Sequence, residues 1–305
     1  MTECPLDPRF PKCRFPLFGG LSVFVDMALL LFCSGGLLAQ SLTVAGSTGP
    51  SAHIANNPPA IATEQSDETC NQLVLDVVQR MPQKGGYSIK KAALENLVSS
   101  IGINAQDTPP ALNLTPEKAK PSFCSGATYL VFVGVIQDLL AEKKLQLSSD
   151  NLKLLLIKGQ SDGEGIWGRW NANGPGTARL FYELGIGKNF QSLALAKPGD
   201  FLKLFWNDQI GAKEFGHSVI FLGTRATPEG GVIRIWSSNL DVGYSEKEVP
   251  MGKIKRMLFS RLVNPSALRS LANLLKTDAF LASMLTISCT EEQMALMVGI
   301  GKETK

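Results

Sequence analysis

The sequence predicts an α+β fold in which N-terminal helices pack on a central antiparallel β-meander. Apolar residues at helical spacing dominate residues 71–187, whereas three short apolar runs separated by turn residues follow Lys197. Helices that precede a series of strands, instead of alternating with them, are typical of α+β domains. We expect one domain of roughly 190 residues over 69–262, which is an ordinary single-domain size.

The predicted helices come first along the chain. Residues 71–83 and 88–103 have apolar residues at helical spacing, and the pair Gly85-Gly86 separates them. A loop containing four prolines follows. A long apolar helix then begins at or near Cys124, and charged residues mark its end near residue 144.

The remaining elements lead into the meander. Short helices are predicted over 150–159 and 178–187, with a Gly/Trp/Asn-rich loop over 161–177 between them. Three successive antiparallel strands are predicted at 199–206, 217–224 and 231–238, and further strand sequence at 244–250 and 254–262. Residues 263–305 form a predicted C-terminal helical extension, which we expect to be helical over 266–285.

Composition limits the chemistry that the chain can perform. Its 305 residues contain 30 Lys and Arg against 27 Asp and Glu, a net charge of +3 that gives no reason to expect nucleic acid as a partner. There are only two histidines, too few for a three-histidine zinc site. Any histidine base must therefore be His53 or His217, and no metal or organic cofactor is implied.

The N-terminal 40 residues resemble a targeting segment. Three basic residues between positions 9 and 14 precede an apolar stretch, and Asp26 leaves residues 27–39 as a hydrophobic region of signal-peptide length. A spanning helix needs about 20 apolar residues, so a cleaved signal peptide is favoured over a membrane anchor. We expect an exported protein, periplasmic or extracellular, that contacts a membrane only if this segment stays uncleaved.

A Ser-, Pro- and Asn-rich stretch over 41–68 is predicted to be a linker. His53 lies inside it, and a histidine in a linker is a poor candidate for a preorganised catalytic group. His217 is then the histidine available for catalysis.

Export would leave three cysteines in the mature chain: Cys70, Cys124 and Cys289. In an oxidising compartment, one arrangement pairs Cys70 with Cys289 and leaves Cys124 as a thiol. The alternative is that the cysteines are small buried hydrophobic residues.

The order of Cys124 and His217 suits nucleophilic catalysis. A thiol at a helix N-terminus has its thiolate stabilised by the helix dipole and by backbone N–H groups. His217 opens a predicted strand, where its ring is able to face a cleft and act as the base. The next strand ends in Ser237, Ser238 and Asn239, any of which is a candidate to orient the imidazole.

These residues lie in three short motifs, CSGATYLVF from Cys124, GHSVIFLG around His217 and IWSSN ending at Asn239. Together the motifs resemble the NlpC/P60 and CHAP groups of papain-like cysteine peptidases and amidases, over residues 121–262. The resemblance implies a papain-like fold and hydrolysis of amide bonds in peptidoglycan peptides. It also implies Cys124 as nucleophile, His217 as base and Asn239 as the first choice for the third residue. Phe123 departs from the acidic or polar residue that these families usually have before the cysteine.

A second set of residues is predicted to bind substrate. Trp167 and Trp170 would offer stacking surfaces, Arg169 would bind a carboxylate, and Asn171 lies in the same predicted loop. Tyr87, after the glycine pair, is a further candidate. The alternative is that the loop only packs on the domain surface.

The sequence thus predicts an exported cysteine hydrolase that cleaves amide bonds through an acyl-enzyme. Two other interpretations stay open. One is a non-catalytic module of the same fold that binds cell wall or a partner; the other is a toxin-like or acyltransferase relative that uses the same Cys-His pair.

Overall fold

The computed structural model describes residues 64–104, 106–107 and 110–301, with side chains from Cys70 onward. The predicted signal peptide, most of the predicted linker and His53 lie outside the described residues.

The described α-helices are α1 Glu64–Arg80, α2 Lys91–Ser99, α3 Cys124–Ala141, α4 Ser149–Leu154, α5 Gly165–Asn171, α6 Gly176–Leu184, α7 Ala279–Ser283 and α8 Glu291–Met297. The strands are β1 Lys84–Gly85, β2 Ile101–Asn104, β3 Ala111–Leu114, β4 Gly187–Phe190, β5 Phe201–Phe205, β6 Gly216–Thr227, β7 Gly230–Asn239, β8 Gly243–Pro250 and β9 Arg256–Leu262.

An antiparallel sheet of seven strands forms the centre of the fold, in the order β1-β8-β7-β6-β5-β9-β4. Strands β5 to β8 are sequential neighbours, as expected for a meander. Strand β9 does not lie next to β8, which precedes it in the sequence. It pairs instead with β5, on the edge of β5 opposite β6. The α+β class predicted from the sequence is confirmed.

Helix α3 crosses the core against this sheet. Most of its side chains are buried, since it is apolar on nearly every face. Fully burying each of its Leu, Val and Phe side chains contributes about 2 kcal/mol, which fixes the helix firmly in place. By length and composition alone α3 is apolar enough to cross a membrane, but 72% of it is buried in the fold, and a core helix passes the same test.

Several element predictions need correction. Residues 101–104 and 111–114, expected as helix end and loop, form the hairpin β2–β3. The predicted loop 161–177 contains helix α5, because Ile166, Trp167 and Trp170 turn one apolar face into the core. Strand β4 was not predicted; it pairs with β9 and closes one edge of the sheet.

The C-terminal extension packs back on the domain, but residues 266–285 do not form one helix. A 3₁₀ helix over Pro265–Asn273 is followed by α7 and α8 as separate short helices. The Asp278 carboxylate caps α7 and accepts a 2.8 Å hydrogen bond from Arg179 of α6. Arg256 of β9 pairs with Glu291 of α8 at 3.0 Å. These contacts hold the extension against α6 and β9.

Candidate active site

A cavity of about 450 Å³ lies between the start of α3 and the meander. Four of the residues predicted for catalysis or binding line it on different elements: Cys124, His217, Asn239 and Asn171. Tyr87 lines it too. The fold thus brings together residues that are up to 152 positions apart in the chain, from Tyr87 to Asn239.

Cys124 is the first residue of α3, as the sequence predicts. No side chain caps the helix at Phe123, which has extended backbone. The first turn of a helix carries backbone N–H groups without intrahelical partners, and the dipole there favours negative charge. Cys124 is 5% exposed and lines the cavity, so the start of the helix presents its thiol to that space.

His217 is the second residue of β6 and faces the cavity. It pairs with Leu204 of β5, and its ring lies beside that of Trp206, with centroids 6.5 Å apart. A Cβ on the preceding residue, Gly216, would lie 2.6 Å from Lys203 Cε, so the lysine side chain would have to shift to admit one. The half-buried imidazole is thus held by the sheet on one side and an indole on the other.

Asn239, at the end of β7, contacts the imidazole. Its Nδ2 donates 2.7 Å and 3.1 Å hydrogen bonds to the backbone carbonyl and hydroxyl of Ser245. This fixes the amide so that Oδ1 faces His217 Nε2 at 3.2 Å. Because Oδ1 only accepts, Nε2 carries the proton, which leaves Nδ1 as the basic nitrogen.

The two serines that rivalled Asn239 bond elsewhere. The Ser237 hydroxyl donates to the backbone carbonyl of Ser218 at 2.7 Å, and Ser238 accepts a 2.7 Å bond from Ser122. Both serines are fully buried. Of the three candidates, Asn239 is the one that contacts the histidine.

Sequence reasoning missed the contacts that join α3 to the sheet. Ser122, two residues before Cys124, contacts Ser238 of β7, and its backbone bonds to Gly86 and Ser88. The Tyr244 hydroxyl donates to the carbonyl of Ala119 at 3.0 Å, and burial raises the Tyr244 pKa. A serine or tyrosine in a loop or strand gives no sequence signal for such a link.

Asn171 lines the cavity, as predicted, and takes part in a polar network. Its Oδ1 accepts a 2.6 Å hydrogen bond from the Ser125 hydroxyl, next to the candidate nucleophile. Its side-chain amide also hydrogen-bonds the carboxylate of half-buried Asp162. Burial raises the pKa of Asp162 to about 6, although hydrogen bonds from the Asn173 backbone and the Asn171 side chain act to lower that pKa.

The prediction that Trp167, Arg169 and Trp170 bind substrate is wrong, because all three are buried in the core. Trp167 packs edge-on against Tyr129, at 5.1 Å between ring centroids, and Trp170 donates its indole N–H to the Ser125 carbonyl at 3.1 Å. Arg169 is 0% exposed.

The guanidinium of Arg169 has structural partners. It pairs with Glu183 at 2.7 Å and donates to the backbone carbonyls of Gly163, Gly165 and Leu275 at 2.8–3.0 Å. Arg169 therefore joins α5, α6 and the segment before α7.

A buried ion pair forms another wall of the cavity. Lys203 Nζ lies 2.7 Å from Glu214 Oε1, and Glu214 Oε2 accepts backbone N–H bonds from Gly174 and Gly211 at 2.5 and 2.8 Å. Glu214 lies three residues before His217, so the carboxylate holds the segment that leads to the histidine. Its sequence context, GAKEFGH, does not reveal this role.

The remaining cysteines do not form a bridge, which was one of the two arrangements left open. Cys70 and Cys289 are not joined in a disulfide, since Cys70 packs in the main core with α1 and Cys289 lies in a separate apolar cluster beside Met294. Burial raises the pKa of the half-buried Cys289 thiol to about 11. Within residues 64–301 as described, no three His, Cys, Asp or Glu side chains converge as a metal site would require.

Comparisons with known proteins give the chain no family: no family model matches it, and neither a curated protein nor a solved structure is significantly similar to it.

Proposed function

We propose that this chain is an exported, papain-like cysteine hydrolase of amide bonds, with Cys124 as nucleophile, His217 as base and Asn239 as the residue that orients the histidine. The observation that carries the proposal is a single cavity lined by both Cys124, the first residue of α3, and His217. The Nε2 nitrogen of that histidine lies 3.2 Å from Asn239 Oδ1. These three roles are the ones a thiol hydrolase needs.

The reaction follows from this arrangement. The Cys124 thiol passes its proton to His217, and the thiolate attacks the amide carbonyl to give a tetrahedral oxyanion. Backbone N–H groups at the start of α3 would stabilise that charge. The imidazolium, oriented by Asn239, then protonates the departing amine, and an acyl-enzyme remains.

Water completes the cycle. His217 takes a proton from the water molecule as it attacks the thioester, and the carboxylic acid leaves as the thiol is restored.

The substrate class is part of the proposal. The motifs around Cys124, His217 and Asn239 resemble those of NlpC/P60 and CHAP enzymes, which favours peptide or amide bonds of peptidoglycan and action outside the cytoplasm. The cavity volume of about 450 Å³ suits a short peptide segment.

The test is digestion of purified peptidoglycan, with mass analysis of the released peptides. We expect fragments whose mass increases by one water, and none from a Cys124→Ala variant with an unchanged circular dichroism spectrum. Full activity of that variant would exclude the mechanism. If peptidoglycan is bound but never cut, and Cys124 does not react with iodoacetamide, the chain is instead a non-catalytic wall-binding module.

A further inference from the structure

The mouth of the cavity has an excess of positive charge. Four lysines line the cavity: Lys203, Lys213, Lys247 and Lys253. Lys203 pairs with Glu214, but the other three are exposed, and no described carboxylate lies within 4.0 Å of their ammonium groups. They come from three separate segments: the loop before β6, strand β8 and the 3₁₀ helix Met251–Lys253.

The two carboxylates that line the cavity do not neutralise these lysines. Glu214 accepts hydrogen bonds from the Lys203 ammonium and from two backbone N–H groups. The Glu248 carboxylate accepts hydrogen bonds from both Nε and Nη2 of Arg225, and the bond from Nε is 3.0 Å long. Both acidic groups are therefore engaged by donors of their own, and the charge at the mouth is positive.

We infer that Lys213, Lys247 and Lys253 bind a carboxylate of the substrate and so select acidic peptides. This inference rests on the proposed function and specifies its substrate class. Lysines are point charges on flexible stems, so they attract an anion without imposing one geometry on it. Lysines around a concave site of low dielectric raise the local concentration of anions, and added salt weakens the effect.

The test compares two alkylating agents of similar size on the full chain. Iodoacetate carries the carboxylate that the lysines are inferred to bind, and iodoacetamide is neutral. The rate of Cys124 alkylation is followed by mass spectrometry of the peptide that contains it, and the iodoacetate-to-iodoacetamide ratio is divided by the ratio for a small free thiol. At low ionic strength we expect a normalised ratio above about three, falling towards one at 0.5 M salt.

The lysines are tested by the triple variant Lys213→Gln, Lys247→Gln, Lys253→Gln. It should lower the normalised ratio at least about threefold while leaving the iodoacetamide rate within about twofold of wild type. The control variant changes Lys90, Lys143 and Lys158 to glutamine and should leave the normalised ratio at its wild-type value. These three lysines are exposed and do not line the cavity. Lys143 matches Lys213 in backbone conformation, with φ of 58° and 59°.

The outcomes separate this inference from the proposed function. If the normalised iodoacetate-to-iodoacetamide ratio is the same in wild type and in the triple variant of Lys213, Lys247 and Lys253 (the cavity triple), the inference is overturned, even if Cys124 reacts readily with iodoacetamide. A Cys124 that reacts with neither reagent overturns the proposed function itself. If hydrolysis has been established, paired peptides that differ only in a carboxylate or carboxamide should differ at least threefold in kcat/KM, and the cavity triple should remove that difference.

Discussion

The hydroxyl of Ser122 donates a 2.7 Å hydrogen bond to the hydroxyl of Ser238, and this buried contact joins the two halves of the candidate site. Ser122 lies two residues before Cys124, and Ser238 is the neighbour of Asn239. A displacement of α3 relative to β7 would therefore disturb the distance between nucleophile and base. Ser122 is 4% exposed and Ser238 is 0% exposed.

Replacing either serine by alanine should destabilise the protein by about 1–2 kcal/mol, because a buried hydroxyl loses its partner. The double variant Ser122→Ala, Ser238→Ala should cost less than the two single changes together, since no orphaned hydroxyl remains. Urea denaturation of the four proteins measures the coupling. Strictly additive effects would contradict a direct contact.

The role of Asn239 can be separated from general packing. The change Asn239→Ala should lower kcat by about 10- to 100-fold with a smaller effect on KM, because the imidazole loses the group that fixes its tautomer. Ser237→Ala is the matched control, since Ser237 lies two residues away on β7 and its hydroxyl donates to the Ser218 carbonyl, whereas its bond to Asn239 uses the backbone carbonyl that alanine keeps. Equal losses in both variants would argue against an orienting role.

Arg169 should matter for stability and not for substrate binding. Arg169→Ala takes the donor from three backbone carbonyls and the nearer partner from Glu183, which keeps Arg179 at 3.5 Å, so we expect a loss of about 3–5 kcal/mol in the free energy of unfolding. The exposed Arg234, paired with Glu246 at 3.0 Å on neighbouring strands, is the control, and its alanine variant should lose at most about 1 kcal/mol. A stable Arg169→Ala protein with a raised KM would restore the substrate-binding interpretation.

The stability of the protein should depend on Asp162 near pH 6. Burial raises the pKa of this carboxyl to about 6, above its value in the unfolded chain, so the folded state binds more protons between about pH 4 and 6. Ionisation of Asp162 therefore lowers the free energy of unfolding. This loss is absent below about pH 4 and complete above about pH 6.

Asp162→Asn removes that titration. The free energy of unfolding of the variant, relative to that of wild type, should rise by about 2 kcal/mol from pH 4 to pH 7.5. Most of this rise should occur between pH 4 and 6. Urea denaturation at a series of pH values measures the difference. A constant difference across the range would show that Asp162 titrates as an ordinary exposed carboxyl.

The sequence predicts the parts of this fold that follow from periodicity. The α3 helix and the strands carrying His217 and Asn239 have strong apolar patterns, and their identification was enough to propose the Cys-His-Asn set. The hairpin β2–β3 and strand β4 are short and half-exposed, so their patterns are weak and tertiary pairing decides them.

The prediction that Trp167, Arg169 and Trp170 bind substrate failed for a physical reason. Glycines and asparagines around Trp167 and Trp170 read as a loop, but the two indoles bury against α3 and turn the segment into α5. Glu214, Ser122 and the mouth lysines gave no local signal, because their roles arise from segments that meet only in the folded chain.

The most direct test of the account is the rate at which iodoacetamide alkylates Cys124 at pH 6.5, in wild type and in His217→Ala, located by mass spectrometry of the Cys124 peptide. The Cys124–His217 pair predicts fast labelling of the wild type and a rate at least about tenfold lower in the variant. Equal rates in the two proteins, both as slow as those of an ordinary thiol, would contradict it.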